Sequence, residues 1–455
     1  MRSASQLGRE RHGNIQKDTL KNLKNVVLII ACSLRADHLS CYGYDIKTSP
    51  NIDQLAGEGI LFKNCFTPAP YTVHSVGSII TSQYPRKLFG VNYNGIIPNQ
   101  AKTIAEYFKE AGFHTMGFMT NPWTSKPMNY HQGFDYYFDT SDLLHLYKDG
   151  YTDKERVTHR VWGDKLTQKV IEALKETKGA FFLQVMYKDN HWPYVSFPPF
   201  KGTFAAHTPE AAPVDMYDET ILHFDSYVGS LIEALKKQNN LDNTLIIVTA
   251  DHAEAFGEYR PYDVGHCELL YNTVIKVPLI IYGPNLFKRA LVVENYSSLI
   301  DILPTALDLM SIAYDQKRLD GISQKQAMEG LRSFDVPKRL IVSETNFRNG
   351  TKGMRRSCAI WEERWKAIVN NQQTMRNRQI KFPVVELYDL QNDPHETNNL
   401  FDQRRDVAEK ISLLFNDWQS KNTPEVQKDK IVKEFLEETI DPEITQQLKA
   451  LGYVQ

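Results

Sequence analysis

Some stretches of the chain are short and almost continuously apolar: Asn25–Ala31, Phe181–Met186, Thr244–Thr249 and Val277–Tyr282. They are rich in β-branched residues and lack the polar alternation of a half-exposed strand. That pattern suits strands buried on both faces, as in a parallel sheet. Between them lie amphipathic stretches around 103–111, 160–175 and 219–238, spaced as helices. Strands alternating with helices predict an α/β fold with a mostly parallel central sheet flanked by helices. The character changes near residue 340. Leu340–Ser343, Trp365–Val369 and Val384–Tyr388 read as short strands, Asp393-Pro394 as a turn, and the remainder as helical. This predicts a small C-terminal α+β subdomain. The expected division is a polar, loosely attached arm over 1–22, a main domain over 23–339 and the subdomain over 340–455.

In open α/β sheets, ligands sit beyond the carboxyl ends of the strands. The residues that follow the buried runs are therefore the first candidates for chemistry. After the first run come Cys32, Ser33, Leu34, Arg35, Ala36 and Asp37. After Phe181–Met186 come Tyr187, Lys188, Asp189, Asn190 and His191. After Thr244–Thr249 come Ala250, Asp251, His252, Ala253 and Glu254. One strand ending in Asp-His is weak evidence; polar ligand-type residues at all these ends point to a site.

Composition narrows the classes. The chain has 455 residues, enough for several domains or one large α/β domain with an appendage. Lys plus Arg number 53 and Asp plus Glu 55, a formal charge of −2, so no nucleic-acid partner is expected. Five scattered cysteines with no Cys-x-x-Cys pair make neither a disulfide framework nor a zinc knuckle. No apolar run approaches the roughly 18–20 residues of a transmembrane helix. The first 22 residues lack the apolar core of a secretory signal, so a cytoplasmic protein is expected. Between Arg348 and Lys381, nine Lys/Arg stand against two Glu, either a solvated face or a positive rim that attracts an anion. Nothing in the sequence sets the oligomeric state.

Individual candidates each have a plain reading beside the chemical one. Asp251 and His252 can share one metal if the chain turns after the strand, or Asp251 can be a helix N-cap beside an incidental His. Thr72 opens Thr72-Val-His-Ser-Val-Gly-Ser78, which leads into a helical run. It is either a plain cap or a hydroxyl nucleophile whose alkoxide gains from the helix dipole and a metal. His191 and His266 lie in polar segments where an imidazole can serve as a general acid or an oxyanion donor, though a lone His is more often structural.

Taken together, the segments resemble a family. Ser33 to Tyr44 and Ser49 to Asp53 are similar to the opening of sulfatase-like members of the alkaline phosphatase superfamily. Tyr217-Asp218, Leu241 to His252 and Glu254 to Glu258 resemble its second metal-binding half. Val277–Ile281, Asp320–Ser323, Glu386–Leu390 with Asn399-Leu400, and the ending Leu448–Val454 follow in family order. The resemblance runs over roughly 24–455. It implies one divalent metal held by Asp251 and His252, with Thr72 at the nucleophile position and also beside the metal. It implies that His191 and His266 act on the reacting group and that Asn121 lies near the substrate.

The chain departs from the family twice. The oxidisable Cys or Ser of true sulfatases is Thr72 here, and the Arg of the same motif is Val76. Threonine is not converted to formylglycine. It is instead the nucleophile of the superfamily's phosphodiesterases and phosphoglycerol or phosphoethanolamine transferases. The acidic ligand expected after the first strand aligns with Cys32, and Asp37 is a lesser substitute. A thiolate there favours Zn²⁺ and fits Mg²⁺ or Ca²⁺ poorly, so Zn²⁺ or Mn²⁺ is expected ahead of Ca²⁺ or Mg²⁺. The expected activity is a metal-dependent hydrolase or transferase on phosphate or phosphonate esters, less so sulfate esters, of small or glycan-linked anionic substrates. The alternative is a degenerate relative that binds or scaffolds with little turnover.

Overall fold

The computed structural model describes residues 15–16, 20, 22–90, 95–139, 159–204, 212–259, 264–284, 286–330, 339–345, 356–362, 364–370 and 385–422. The strands in chain order are β1 (Asn25–Ala31), β2 (Ile60–Phe66), β3 (His114–Met119), β4 (Tyr136–Phe138), β5 (Phe181–Tyr187) and β6 (Thr244–Ala250). There follow β7 (Ala255–Phe256), β8 (Val264–Gly265), β9 (Lys276–Val277), β10 (Leu279–Tyr282) and β11 (Leu291–Ser298). The chain ends in β12 (Ile341–Thr345), β13 (Arg356–Trp361), β14 (Trp365–Asn370) and β15 (Val385–Asp389). The main sheet runs β11-β2-β10-β6-β1-β5-β3-β4, with β9 added to β2.

The α/β architecture with a mostly parallel sheet is as the pattern predicts. β1, β5 and β6 are buried at every residue because helices cover both faces of the sheet. One expectation is corrected. The run Val277–Tyr282 is broken at Pro278, which supplies no ladder donor, and β10 lies antiparallel to both β2 and β6. Apolar continuity reports burial on both faces but not direction. The connection from β6 to β10 contains only the short Asn272–Ile275 helix among its described residues, not a full crossover helix.

Strands with mixed sequence escaped the pattern. β2 carries Lys63 and Asn64, and β11 has a bulge between Val293 and Tyr296. β3 contains Gly117, where a Cβ would fall 2.5 Å from the Tyr137 ring. Its missing side chain lets that ring pack on the strand.

The expected loose arm is corrected in part. Ile15 is buried and bridges Phe287, and the Gln16 N–H donates to Leu286 O at 2.8 Å. The C-terminal region forms an antiparallel sheet in the order β12-β13-β14-β15. One face, with Ile341, Cys358, Ile360 and Ile368, packs on Phe66, Leu270, Tyr271 and Val274 of the main body. The other carries the helix Arg405–Asn422 through Val407, Ile411 and Phe415. Most of the basic stretch 348–381 and the ending Leu448–Val454 lie outside the described residues. Among the described residues, no helix is long and apolar enough to cross a membrane.

Candidate active site

Register assembles the site. Ala31 of β1 is level with Tyr187 of β5 and with Ala250 of β6. The next residue on each strand is therefore Cys32, Lys188 and Asp251, side by side at the carboxyl edge. The Cys32 N–H donates to Tyr187 O at 2.8 Å and the Asp251 N–H to Ala31 O at 3.1 Å, so both are the last residues held by the ladder. Beyond Cys32 the chain turns sharply, with Ser33 at φ 60, a left-handed conformation that a non-glycine residue adopts at some cost. Tyr217 holds the turn: its hydroxyl donates to Ser33 O at 2.7 Å and accepts from the Arg35 N–H at 2.8 Å. The turned Ser33 N–H donates to Asp251 Oδ1 at 3.2 Å.

Thr72 arrives from a different layer. It is the first residue of the Thr72–Thr81 helix, capped by Tyr71 with no side-chain bond. The structure thus makes Tyr71, not Thr72, the N-cap, which leaves the Thr72 hydroxyl available to the site. Ser75 Oγ ties this helix to the end of β6 by donating to Asp251 O at 2.5 Å. Val76, where relatives of the motif carry Arg, is fully buried in the main core.

Cys32, Thr72, Asn121, Asp251 and His252 converge. Thr72 Oγ1 is 3.5 Å from Cys32 Sγ and 3.5 Å from His252 Nε2, and Cys32 Sγ is 4.0 Å from that nitrogen. Asn121 Nδ2 donates to Thr72 Oγ1 at 3.1 Å and lies 3.6 Å from Cys32 Sγ. Its amide is oriented by the Trp123 N–H, which donates to Asn121 Oδ1 at 3.0 Å. No helix follows Asp251, so it is not a helix cap. Asp251 Oδ1 accepts from the His252 N–H at 2.7 Å as well as from Ser33, whereas the buried Oδ2 has no hydrogen-bond partner among the described residues. His252 Nδ1 faces Ala253 O at 2.9 Å, so it carries the proton and Nε2 offers its lone pair to the cluster. Burial, aided by the neighbouring His266, outweighs Asp251 and keeps the His252 imidazole below its ordinary range, hence neutral. Burial, reinforced by Asp251, pushes the Cys32 thiol well up in the absence of a cation.

Among the described residues, Cys32, Asp251 and His252 offer donor atoms within 4.8 Å of one another, all buried. Around a tetrahedral ion with bonds of about 2.0–2.3 Å, neighbouring donors lie about 3.3–3.6 Å apart. The Thr72–Cys32, Thr72–His252 and Asp251–His252 separations of 3.5, 3.5 and 3.6 Å match, Cys32–His252 at 4.0 Å is a few tenths wider, and the orphaned Asp251 Oδ2 is the anionic donor such an ion requires. The residues present fit a divalent metal. Asp37 does not join them; it pairs with Arg35 at 2.7 Å.

The opposite wall is cationic. The His266 ring stacks near His252 with centroids 4.2 Å apart and meets His191 edge-on at 5.1 Å. His266 Nδ1 bonds Glu254 Oε1 at 2.9 Å. Burial opposes a charge on His266, but Glu254, with Cys267, outweighs it and holds the imidazole well above its ordinary range. His191 is fixed by a bond from Nδ1 to Trp192 O. Lys188 is buried at the end of β5; desolvation brings its ammonium down to about 8 against the pull of Cys32 and Asp251. Sequence reading placed Lys188 and Glu254 at strand ends but gave neither a role. The available signal was their type: a lysine directly after one strand buried at every residue, and a glutamate four residues after another.

Comparisons with known proteins identify the family and the fold. The sulfatase family matches residues 24–312, and the C-terminal region of N-sulphoglucosamine sulphohydrolase matches 257–421. The uncharacterized sulfatase YidJ of Escherichia coli is 24% identical over 87% of this chain and 87% of its own. The N-acetylgalactosamine-6-O-sulfatase of Bacteroides thetaiotaomicron is 23% identical, covering 88% of this chain and 94% of the relative. In fold, the phosphonate monoester hydrolase of Agrobacterium radiobacter aligns with a TM-score of 0.72 at 21% identity, over 88% of this chain and 96% of that one. With a family match over most of its length, on the fold that its sheet register builds, this chain belongs to the sulfatase family and is an enzyme of that family.

Proposed function

We propose that the protein cleaves or transfers phosphate or phosphonate esters, and sulfate esters less well, through Thr72 as nucleophile. The observation that carries this reading is the Thr72 hydroxyl at a helix start, 3.5 Å from both Cys32 Sγ and His252 Nε2 and bonded by Asn121. Cys32, Asp251 and His252 would hold the divalent metal. When bound, it would supply Lewis-acid activation of the Thr72 hydroxyl and of a non-bridging ester oxygen. Thr72 Oγ1 attacks the phosphorus in line as its proton leaves to solvent. The helix N-terminus and the Asn121 amide favour the developing alkoxide. His266, kept charged by Glu254, and His191 face the leaving oxygen; one of them gives it a proton. Lys188 adds positive charge near the transferred group. The same imidazole, now a base, draws a proton from water or an acceptor hydroxyl, whose oxygen bonds to phosphorus as the phosphorus–Oγ1 bond breaks, and Thr72 regains a proton from solvent.

Threonine supports phosphoryl over sulfuryl chemistry because it cannot become formylglycine. The sugar sulfatases among the relatives support an anionic group carried on a glycan or other small molecule. The test is a panel of 4-nitrophenyl phosphate, phosphonate and sulfate esters with the purified chain, joined to intact-mass detection of a covalent adduct. Turnover of phosphorus esters with an adduct mapped to Thr72 is expected. Sulfate turnover alone, or an adduct elsewhere, would overturn the reading.

A further inference from the structure

We propose that Cys32 binds the metal as a thiolate and makes the centre selective for thiophilic, zinc-class cations over Mn²⁺, Mg²⁺ and Ca²⁺. This inference rests on the metal-dependent reading above and deepens it. The position is the one at which the family resemblance implies a carboxylate, so the sulfur replaces a hard donor with a soft one.

A buried cysteine can instead be a small apolar residue. The surroundings of Cys32 argue otherwise. Its Sγ has Thr72 Oγ1 at 3.5 Å, Asn121 Nδ2 at 3.6 Å, Ser33 Oγ at 3.8 Å and His252 Nε2 at 4.0 Å. The sulfur is surrounded by polar atoms and shares its space with the lone pair of His252 and the orphaned oxygen of Asp251.

The donor inventory also speaks against a hard cation. Ca²⁺ takes six to eight oxygen ligands, and Mg²⁺ an octahedron of oxygens. Here Asp251 Oδ1 already serves two backbone N–H groups, and Asn121 Oδ1 serves Trp123. That leaves Asp251 Oδ2, Thr72 Oγ1 and Ser33 Oγ as oxygens at the cluster, fewer than a hard cation takes, beside one nitrogen and one sulfur. Three protein ligands of mixed N, O and S type with a fourth, exchangeable position describe a catalytic zinc centre. As the sulfur–metal bond forms, the thiol proton leaves to solvent.

The experiment uses the full chain, stripped with chelator and reloaded. Equilibrated with Zn²⁺, Mn²⁺, Mg²⁺ and Ca²⁺ in competition, the parent should retain close to one equivalent of zinc by elemental analysis. Loaded with Co²⁺, it should show a sulfur-to-cobalt charge-transfer band in the near ultraviolet. Cys32→Ser should lose the band. Cys32→Asp should lose it too, keep binding metal, and shift the Zn/Mn affinity ratio by at least about a hundredfold toward manganese. Circular dichroism establishes that each variant is folded; should Cys32→Asp not fold, Cys32→Ser carries the test. Stoichiometric Co²⁺ without the band in the parent would overturn this inference and leave the metal-dependent reading standing. A parent that binds no metal would overturn both. The band together with unchanged turnover in Thr72→Ala would support this inference and break the assignment of the nucleophile.

Discussion

The two walls of the site are built on opposite principles. On the wall of Cys32, Thr72, Asp251 and His252, the donors crowd together with their lone pairs inward, and one carboxylate oxygen has no hydrogen-bond partner among the described residues. On the wall of His191 and His266, proton-bearing groups are fixed from behind, His266 by Glu254 and His191 by a backbone carbonyl, while Lys188 stands beside Cys32 and Asp251 at the strand ends. The first wall is arranged to receive a cation and the second to supply one. On the proposed mechanism, activation of the nucleophile is separate from stabilisation of the leaving oxygen, and each can be damaged alone.

The largest effect is expected at Thr72. Thr72→Ala should lower kcat/KM for phosphorus esters by at least about a hundredfold, roughly 3 kcal/mol, with the metal content nearly intact, while Thr72→Ser keeps part of the rate. Near-parental rates in Thr72→Ala would dissolve the distinction between the walls, since a water nucleophile would need neither helix nor hydroxyl.

The second test strikes the cationic wall. Glu254→Gln should reduce kcat about tenfold at neutral pH and leave metal stoichiometry unchanged. Because Glu254 raises the His266 pKa, its loss moves the alkaline limb of the rate profile to lower pH. The same sign applies to stability. The raised imidazole contributes stability that is fully present below its ordinary range near about 6.5 and is lost as pH rises through the folded value. Thermal melts of parent and Glu254→Gln should therefore differ most at acidic pH and converge in alkali. A Glu254→Gln protein that loses metal instead would show the walls to be one unit.

Asn121→Ala should cost about three- to tenfold in kcat by removing the 3.1 Å bond to Thr72 Oγ1, with KM almost unchanged. An effect on KM alone would move Asn121 from the nucleophile to substrate binding.

The smallest effect is on the unloaded protein. Asp251→Asn should abolish tight metal binding, yet raise the metal-free stability by about 1 kcal/mol, because a buried negative charge is removed, the new amide N–H faces the His252 Nε2 lone pair where the orphaned oxygen had no donor, and both backbone bonds to Oδ1 survive. Denaturant melts after chelation measure this. A clear loss of metal-free stability would mean that Asp251 is a structural residue first.

The apolar runs alone determined β1, β5 and β6 and, through them, which residues stand at the carboxyl edge. Burial on both faces is written in composition, and strand ends can be counted. The motif order likewise made Asp251, His252, Thr72, His191 and His266 candidates from the sequence. What only tertiary structure decided is everything that depends on register and on long-range pairing. β10 runs antiparallel although its residues read like those of β1. β2, β3 and β11 hide behind a lysine, a glycine and a bulge, since their stability comes from neighbours and not from their own pattern. Cys32, Lys188 and Asp251, far apart in the chain, became neighbours because β1, β5 and β6 pair in parallel with their ends level. The orphaned Asp251 oxygen and the Glu254–His266 pair exist only once distant backbone and side chains have taken up the other bonds. Local sequence encodes which face is buried; which polar atoms meet is set by the pairing of strands, and that is where the chemistry of this site resides.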